Sequence, residues 1–194
     1  MNAHIFLSIC WIIYCALHSI LAAGSTKQWT AQQWPRLAPY YRITYIIFAL
    51  ATLAAIVAYQ LWMPTRFFWT EQPVVFVLGL VIMLGGLLLM AMCVKKYFSG
   101  LSGLQVLNKN MGAHKLQVTG VHRYVRHPLY SGTFVFLWGA WLAWPALSFL
   151  LSNIIITSYT VWALRWEEAK LIQEFGADYL QYRKRVPALV PRLF

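Results

Sequence analysis

Residues 129–164 read LYSGTFVFLWGAWLAWPALSFLLSNIIITSYTVWAL, a stretch without one acidic or basic side chain. An α-helix rises about 1.5 Å per residue, and the hydrocarbon of a bilayer is about 30 Å thick. The stretch therefore holds two apolar helices, roughly Leu129–Trp144 and Leu147–Leu164, with only Pro145-Ala146 left to turn the chain between them. They must form a tight helical hairpin, each arm short for a full span, whose two feet return to one membrane face. Three longer apolar runs precede it, at about Ala3–Ala23, Ile43–Met63 and Pro73–Val94. The expectation is an all-α integral membrane protein with about five transmembrane helices in one membrane-embedded domain over residues 1–194.

Composition agrees. The 194 residues are 60% hydrophobic, 16% aromatic and 11% charged, with a mean hydropathy of +0.58. Soluble domains carry about 25% charged residues, so a water-soluble enzyme, a disordered chain and a disulfide scaffold are excluded. Cys10, Cys15 and Cys93 all lie inside apolar runs, without metal or redox spacing, and read as buried apolar residues. The first apolar run begins at once, lacks a basic leader and is long enough to span, so it reads as a helix of the bundle rather than a cleavable signal.

The net charge of +11 comes from 16 Lys/Arg against 5 Asp/Glu. With five spans, segments 24–42, 95–127 and 165–194 share one side and hold 15 of the 16 basic residues, leaving Arg66 opposite. The positive-inside rule then sets the N-terminus outside and the C-terminus in the cytosol of a cell or endoplasmic reticulum membrane. That asymmetry explains the charge without nucleic acid. Trp62, Trp69 and Trp144 fall near the outer boundary, and Trp29, Trp34 and Trp166 near the inner one, as interfacial aromatics do. His4 and His18 in the first span read as interfacial or locally hydrogen-bonded.

From Trp166 to Val186, Leu171, Ile172, Phe175 and Tyr179 recur at helical spacing, with charges on the other faces. This reads as an amphipathic helix, with a break at Gly176 and an end before Pro187.

Two polar stretches remain that insertion does not explain. One is Gly120-Val121-His122-Arg123-Tyr124-Val125-Arg126-His127-Pro128-Leu129-Tyr130-Ser131-Gly132; the other is Arg165-Trp166-Glu167-Glu168. The hairpin makes its feet neighbours, so Arg126-His127 can face Glu167-Glu168 at the cytosolic mouth. Pro128 suits the first position of a helix. The N–H groups of that first turn, with Arg126 and His127, suit a carboxylate or phosphate. Glu167 and Glu168 are expensive near hydrocarbon unless paired, and they suit an ammonium or sugar hydroxyls. Together they would match a zwitterionic ligand. The plainer alternative is that the basic residues flank the membrane and the glutamates are their counter-ions. A metal site from His114, His122, His127 and a Glu follows no zinc spacing, so no metal is expected.

His114-Lys115-Leu116-Gln117, Gly120-Val121 and Arg126-His127-Pro128-Leu129-Tyr130-Ser131-Gly132 together resemble the cofactor-binding core of the isoprenylcysteine carboxyl methyltransferases. Glu167-Glu168, Leu171-Ile172, Phe175-Gly176, Tyr179, Tyr182 and Lys184-Arg185-Val186-Pro187 continue the resemblance in register, over about 80 residues. Phospholipid amine methyltransferases share much of the pattern, and sterol reductases carry a related one. The resemblance implies a compact prokaryotic member whose cofactor-binding part is about residues 95–194. It implies S-adenosylmethionine as methyl donor, leaving S-adenosylhomocysteine. It also implies cofactor contacts at His114, Lys115, Leu116, Gln117, His122, His127, Pro128, Leu129, Tyr130 and Glu167.

The family pattern has Tyr at position 122 and Arg at position 163. Here those positions hold His122 and Ala163, with Arg165 two residues later. Arg126, Arg165 and Glu168 are the candidate catalytic residues, an arginine orienting the acceptor. The acceptor expected on this likeness is the carboxylate of an S-prenylated cysteine entering from the bilayer. The alternatives are a phospholipid amine, with Glu167 or Glu168 taking its proton, or a small non-enzymatic membrane carrier.

Overall fold

A computed structural model describes residues 2–69, 72–101 and 116–192, with side chains described except at 96–101. His114 and Lys115 lie outside the described residues. The described chain is helical: α1 (Ala3–Ala22), α2 (Gly24–Gln33), α3 (Tyr41–Trp62), α4 (Pro73–Leu101), α5 (Pro128–Ala143) and α6 (Leu147–Arg185), with short 3₁₀ turns at Ala38–Tyr40 and Gly120–Arg123.

Four helical stretches are long and apolar enough to cross a membrane: Ala3–Ala22, Ala38–Trp62, Pro73–Lys95 and Leu147–Arg185. The protein is an all-α integral membrane protein. The expected fifth run forms α5, but with 16 residues it reaches only about 24 Å, short of a span on its own. Two further features concern helix extent. Residues 24–33, to which the sequence reading assigned only a membrane side, wind into α2, with the Thr26 hydroxyl donating to the Ile20 carbonyl at 2.6 Å and the Thr30 hydroxyl to the Thr26 carbonyl at 2.9 Å. The last span and the amphipathic segment are one helix, α6, broken where expected: Gly176 has φ +56 and ψ −127, a conformation most side chains resist.

The chain divides into two compact units. In the first, comprising Met1–Arg66 and Leu147–Ile156 among the described residues, Leu7, Trp11 and Met63 form the core. A polar residue in a span needs partners, because hydrocarbon supplies none. Gln60 finds them on two elements: Trp11 Nε1 donates to its Oε1 at 3.0 Å and Ser152 Oγ at 2.7 Å. His18 lies 2.9 Å from the Tyr45 hydroxyl, the local bond expected of it. Cys15 is buried and Cys10 half-buried.

The second unit comprises, among the described residues, 67–69, 72–96, 116–146 and 157–192. Its α4 and α5 touch backbone to backbone through glycines seven residues apart on each helix, Gly79 and Gly86 against Gly132 and Gly139. A Cβ at Gly79 would fall on Ala143, one at Gly86 on Phe136, and one at Gly139 on Met83. Lipid gives helices no hydrophobic reason to associate, so close approach through small residues does that work. At the turn, the Phe68 N–H donates to the Pro145 carbonyl at 2.9 Å. Trp138 Nε1 donates to Thr157 Oγ1 at 3.2 Å, tying α5 to α6.

Gly86→Leu or Gly139→Leu should therefore lower the melting temperature of the detergent-solubilised protein, overpacking of this kind costing about 1–3 kcal/mol or more. Gly85→Leu is the control, since nothing lies within 4 Å of a Cβ there; an equal loss in all three variants would dismiss the glycine contact.

Candidate active site

The foot of α5 is held before the helix begins. Val125 is buried, and the backbone N–H groups of Arg126 and His127 donate to the carbonyls of Pro187 at 2.9 Å and Ala188 at 3.0 Å. Ser131 Oγ donates to the Leu189 carbonyl at 2.6 Å. The tail after α6 thus runs along the start of α5 and satisfies it. Two N–H groups beside the expected anion cradle are already occupied by this chain. Pro128 opens α5 at its first position, as expected.

Glu167 and Glu168 leave α6 about 100° apart, the turn per residue of an α-helix, and the structure gives them different surroundings. Glu168 is 8% exposed. Its Oε1 receives both Nε and Nη2 of Arg126, the former at 2.8 Å, and lies 3.3 Å from His127 Nε2. Its Oε2 lies 3.3 Å from Arg183 Nε. Arg126 spends its remaining reach on the carbonyls of Val186, at 2.5 Å, and Arg183, at 3.2 Å.

Glu167 is otherwise: its side chain is 43% exposed. Tyr130 donates its hydroxyl to Oε2 at 2.6 Å, and His127 Nδ1 stands 3.9 Å from Oε1. The rings of His127 and Tyr130 lie nearly parallel, 5.9 Å apart. Burial holds the His127 imidazole below its ordinary value of 6.5, against the opposing pull of Glu167 and Glu168. At neutral pH it is uncharged, with one nitrogen facing each glutamate.

The hairpin therefore brings Arg126, His127, Tyr130, Glu167 and Glu168 together, as the sequence reading required. Leu116 packs against the buried cluster of Tyr179, Tyr182 and Val186. His122 is half-buried, its Nδ1 3.1 Å from the Arg126 carbonyl, and its own carbonyl receives the Tyr182 hydroxyl at 2.6 Å. Leu129 is half-buried, whereas Gln117 and Arg165 are exposed.

Two expected roles need correction. Arg126 is poorly placed as an acceptor clamp, because a buried carboxylate and two carbonyls already take four of its five N–H groups. Glu168 is the counter-ion of that arginine, so the plainer alternative describes this pair. Sequence reasoning missed Arg183, placed on an outward face, and the 186–189 tail. The signal for both was Pro187, two residues after the basic run Arg183-Lys184-Arg185, which stops the helix at Val186.

What the arrangement offers chemically is one accessible carboxylate, braced by a tyrosine, beside a neutral imidazole. It suits an ammonium group or ribose hydroxyls, and a positively charged electrophile nearby. A family model described as phospholipid methyltransferase matches residues 74–178, which include this whole pair of feet. The chain belongs to that family.

A methanethiol S-methyltransferase of Bradyrhizobium diazoefficiens is 32% identical over 191 residues, covering 94% of this chain and 71% of that protein. One from Crocosphaera subtropica is 30% identical over 193 residues, covering 92% and 71%. The protein-S-isoprenylcysteine O-methyltransferase of Schizosaccharomyces pombe is 37% identical over 87 residues, covering 44% of this chain and 37% of that protein. No solved structure matches the chain. As a family member this protein is a membrane-embedded methyltransferase, and the family resemblance read over about 80 residues from His114 onward holds.

Two outcomes test the site's electrostatics. Removing one partner of a buried ion pair strands the other charge, at about 3–5 kcal/mol, so Arg126→Ala should strongly lower thermal stability in detergent, whereas Arg165→Ala should not. A melting temperature unchanged in Arg126→Ala would overturn the pairing. For His127, the native state refuses a proton that the unfolded chain accepts below about pH 6.5, so this group's contribution to stability falls as pH drops through that value. His127→Gln should remove that share of acid sensitivity in melts taken from pH 8 to pH 5.5; an identical slope would refute it.

Proposed function

We propose that this methyltransferase moves a methyl group from S-adenosylmethionine to a small thiol, giving a thioether and S-adenosylhomocysteine. The observation that carries the acceptor is the extent of likeness. Relatives named for methanethiol match along more than nine-tenths of the chain, while the isoprenylcysteine enzyme matches less than half. The site's chemistry supports the same choice. A carboxylate acceptor needs a cation to orient it, yet Arg126 and Arg183 are both paired with Glu168, position 163 is alanine, and Arg165 is exposed. A thiol needs no such cation. The prenylcysteine carboxylate remains a second reading, favoured by the 37% identity over 87 residues.

The donor fits the groups present. Glu167 suits its ammonium or its ribose hydroxyls, and Tyr130 keeps that carboxylate in place. Bound there, S-adenosylmethionine supplies an electrophilic methyl on a sulfonium, and the C–S bond to that methyl breaks as the acceptor's forms. A thiol must shed its proton to attack. The neutral His127 can take that proton at Nδ1, the imidazolium being stabilised by Glu167 on one side and Glu168 on the other. The rest is alignment and exclusion of water, where oriented reactants gain about 7–11 kcal/mol. We place the site on the cytosolic face, on the strength of the 15 basic residues assigned to that side. The charged donor then enters from the cytosol and the apolar acceptor from the bilayer.

Purified protein titrated calorimetrically with S-adenosylhomocysteine should bind, and Glu167→Gln should weaken binding by about tenfold, or about 1.4 kcal/mol. Given the donor, it should methylate a short alkanethiol in preference to a farnesylated cysteine analogue or phosphatidylethanolamine. No binding by the wild type would end the donor assignment; turnover of the farnesylated analogue alone would end the thiol assignment.

A further inference from the structure

The reaction as proposed makes no use of Arg183, yet the structure gives it an unusual station. It lies beyond the break at Gly176, and its side chain is 48% exposed, like an ordinary surface cation. From there its Nε reaches Oε2 of Glu168 at 3.3 Å, and its own carbonyl accepts from Arg126 Nη1 at 3.2 Å. One residue therefore touches both members of the buried pair, one by its side chain and the other by its backbone.

A half-exposed ion pair contributes little to stability, typically 0–1 kcal/mol, so global stability is not what this contact is suited to supply. Orientation is. Glu168 has two oxygens with distinct duties: Oε1 faces Arg126 and His127, and Oε2 faces Arg183. While Oε2 is held, the carboxylate plane is fixed and Oε1 stays 3.3 Å from His127 Nε2. Without Arg183 the carboxylate loses the cation at Oε2, and Arg126, with Nε and Nη2 already on Oε1, can draw it round against the buried Tyr179 hydroxyl, which also interacts with Glu168. His127 then loses the bond that sets its ring angle, and with it the placement of Nδ1 toward Glu167 and the ring beside Tyr130.

We propose that Arg183 is a positioning residue: through Glu168 it fixes the ring of His127, and thereby sets the affinity of the site for the methyl donor. The side chain itself touches neither reactant. This rests on the proposed function in one respect only, that the donor binds beside His127 and Glu167. It also gives the terminal segment of α6 a reason to carry charge toward the bundle rather than only toward lipid headgroups, as its neighbours Lys184 and Arg185 do on their exposed faces.

The test is a comparison of Arg183→Gln, Arg183→Lys, Lys184→Gln and wild type as full-length protein in detergent micelles. Calorimetric affinity for S-adenosylhomocysteine, the melting temperature and donor-dependence kinetics are read for each. Arg183→Gln should raise the dissociation constant for S-adenosylhomocysteine and the donor KM by about tenfold together, and lower kcat as well, because the same ring placement sets Nδ1 where it takes the thiol proton. Its melting temperature should stay within about 2 °C of wild type, as expected for a change of a few tenths of a kcal/mol. Arg183→Lys, which keeps the charge, should recover most of the affinity, and Lys184→Gln should resemble wild type. Unchanged affinity in Arg183→Gln overturns the proposal. So does a fall in melting temperature with kcat and affinity lost alike, which marks a structural contact, or an equal effect in Lys184→Gln, which marks general charge. Failure of the wild type to bind S-adenosylhomocysteine at all is a separate result and strikes the donor assignment instead.

Discussion

A buried carboxylate that meets its arginine across 42 residues of chain is the constraint on which the second unit depends. Taking either ion out of water costs several kcal/mol, and only good geometry with further hydrogen bonds recovers it. Glu168 and Arg126 meet those terms. The carboxylate accepts two N–H groups from the guanidinium, and the guanidinium's remaining reach goes to two carbonyls near the end of α6. The foot of α5, the middle of α6 and the tail are thereby held by one charge pair. Among the described residues, the hydrocarbon part of the same unit has no comparable charge pair. Its helices rely on glycines that let α4 and α5 touch, which bring the backbones close without specifying a polar site. The fold can therefore be apolar almost throughout and still fix the position of a few polar side chains.

Adjacent glutamates on a helix cannot share a role in such a place. Successive side chains diverge by about 100°, so when one turns in to meet an arginine the next is left at the rim. Glu168 takes the inner direction and is saturated; Glu167 takes the outer one, with 43% of its side chain accessible. The doublet is thus one counter-ion and one exposed carboxylate. The same division settles His127. Set between the two, with burial holding off its proton, it faces a fixed negative group on one side and an accessible one on the other.

Much of this was legible beforehand because it follows from length and charge alone. The uncharged run from 129 to 164 dictates a hairpin, and a hairpin dictates that His127 and Glu167 are neighbours, whatever the helices do in detail. Gly176 announced the break because no other residue type takes that conformation so cheaply. The helix boundaries were harder. The composition of Leu147–Arg185 turns polar at Arg165 while its backbone stays helical, so the continuous α6 read as two pieces, and α5, already read as short, has 16 residues and stops below a full span. Arg126 was misread for a different reason. A sequence shows that an arginine stands near the site, but not how many of its N–H groups are already taken, and here the takers are backbone carbonyls some 60 positions away. Arg183 was hidden by Gly176 itself, since a helical face projected across a left-handed residue points the wrong way.

The contrast between the two sets of relatives has a physical counterpart in this arrangement. The groups that the described residues bring together and that suit a charged, zwitterionic donor, His127, Tyr130 and Glu167, lie within the stretch matched by the phospholipid methyltransferase family model. A donor is the same molecule for every acceptor, so the groups that hold it can be shared while the acceptor changes. The acceptor is the variable, and the residues nearest the shared part that would have to answer to it are those on the turn of α6 before Glu167. On the family pattern that turn carries an arginine; here it carries Ala163. A cation at that place would draw an anionic acceptor and burden a neutral one with an uncompensated charge near hydrocarbon, at a cost of several kcal/mol. Ala163 puts no charge on that turn.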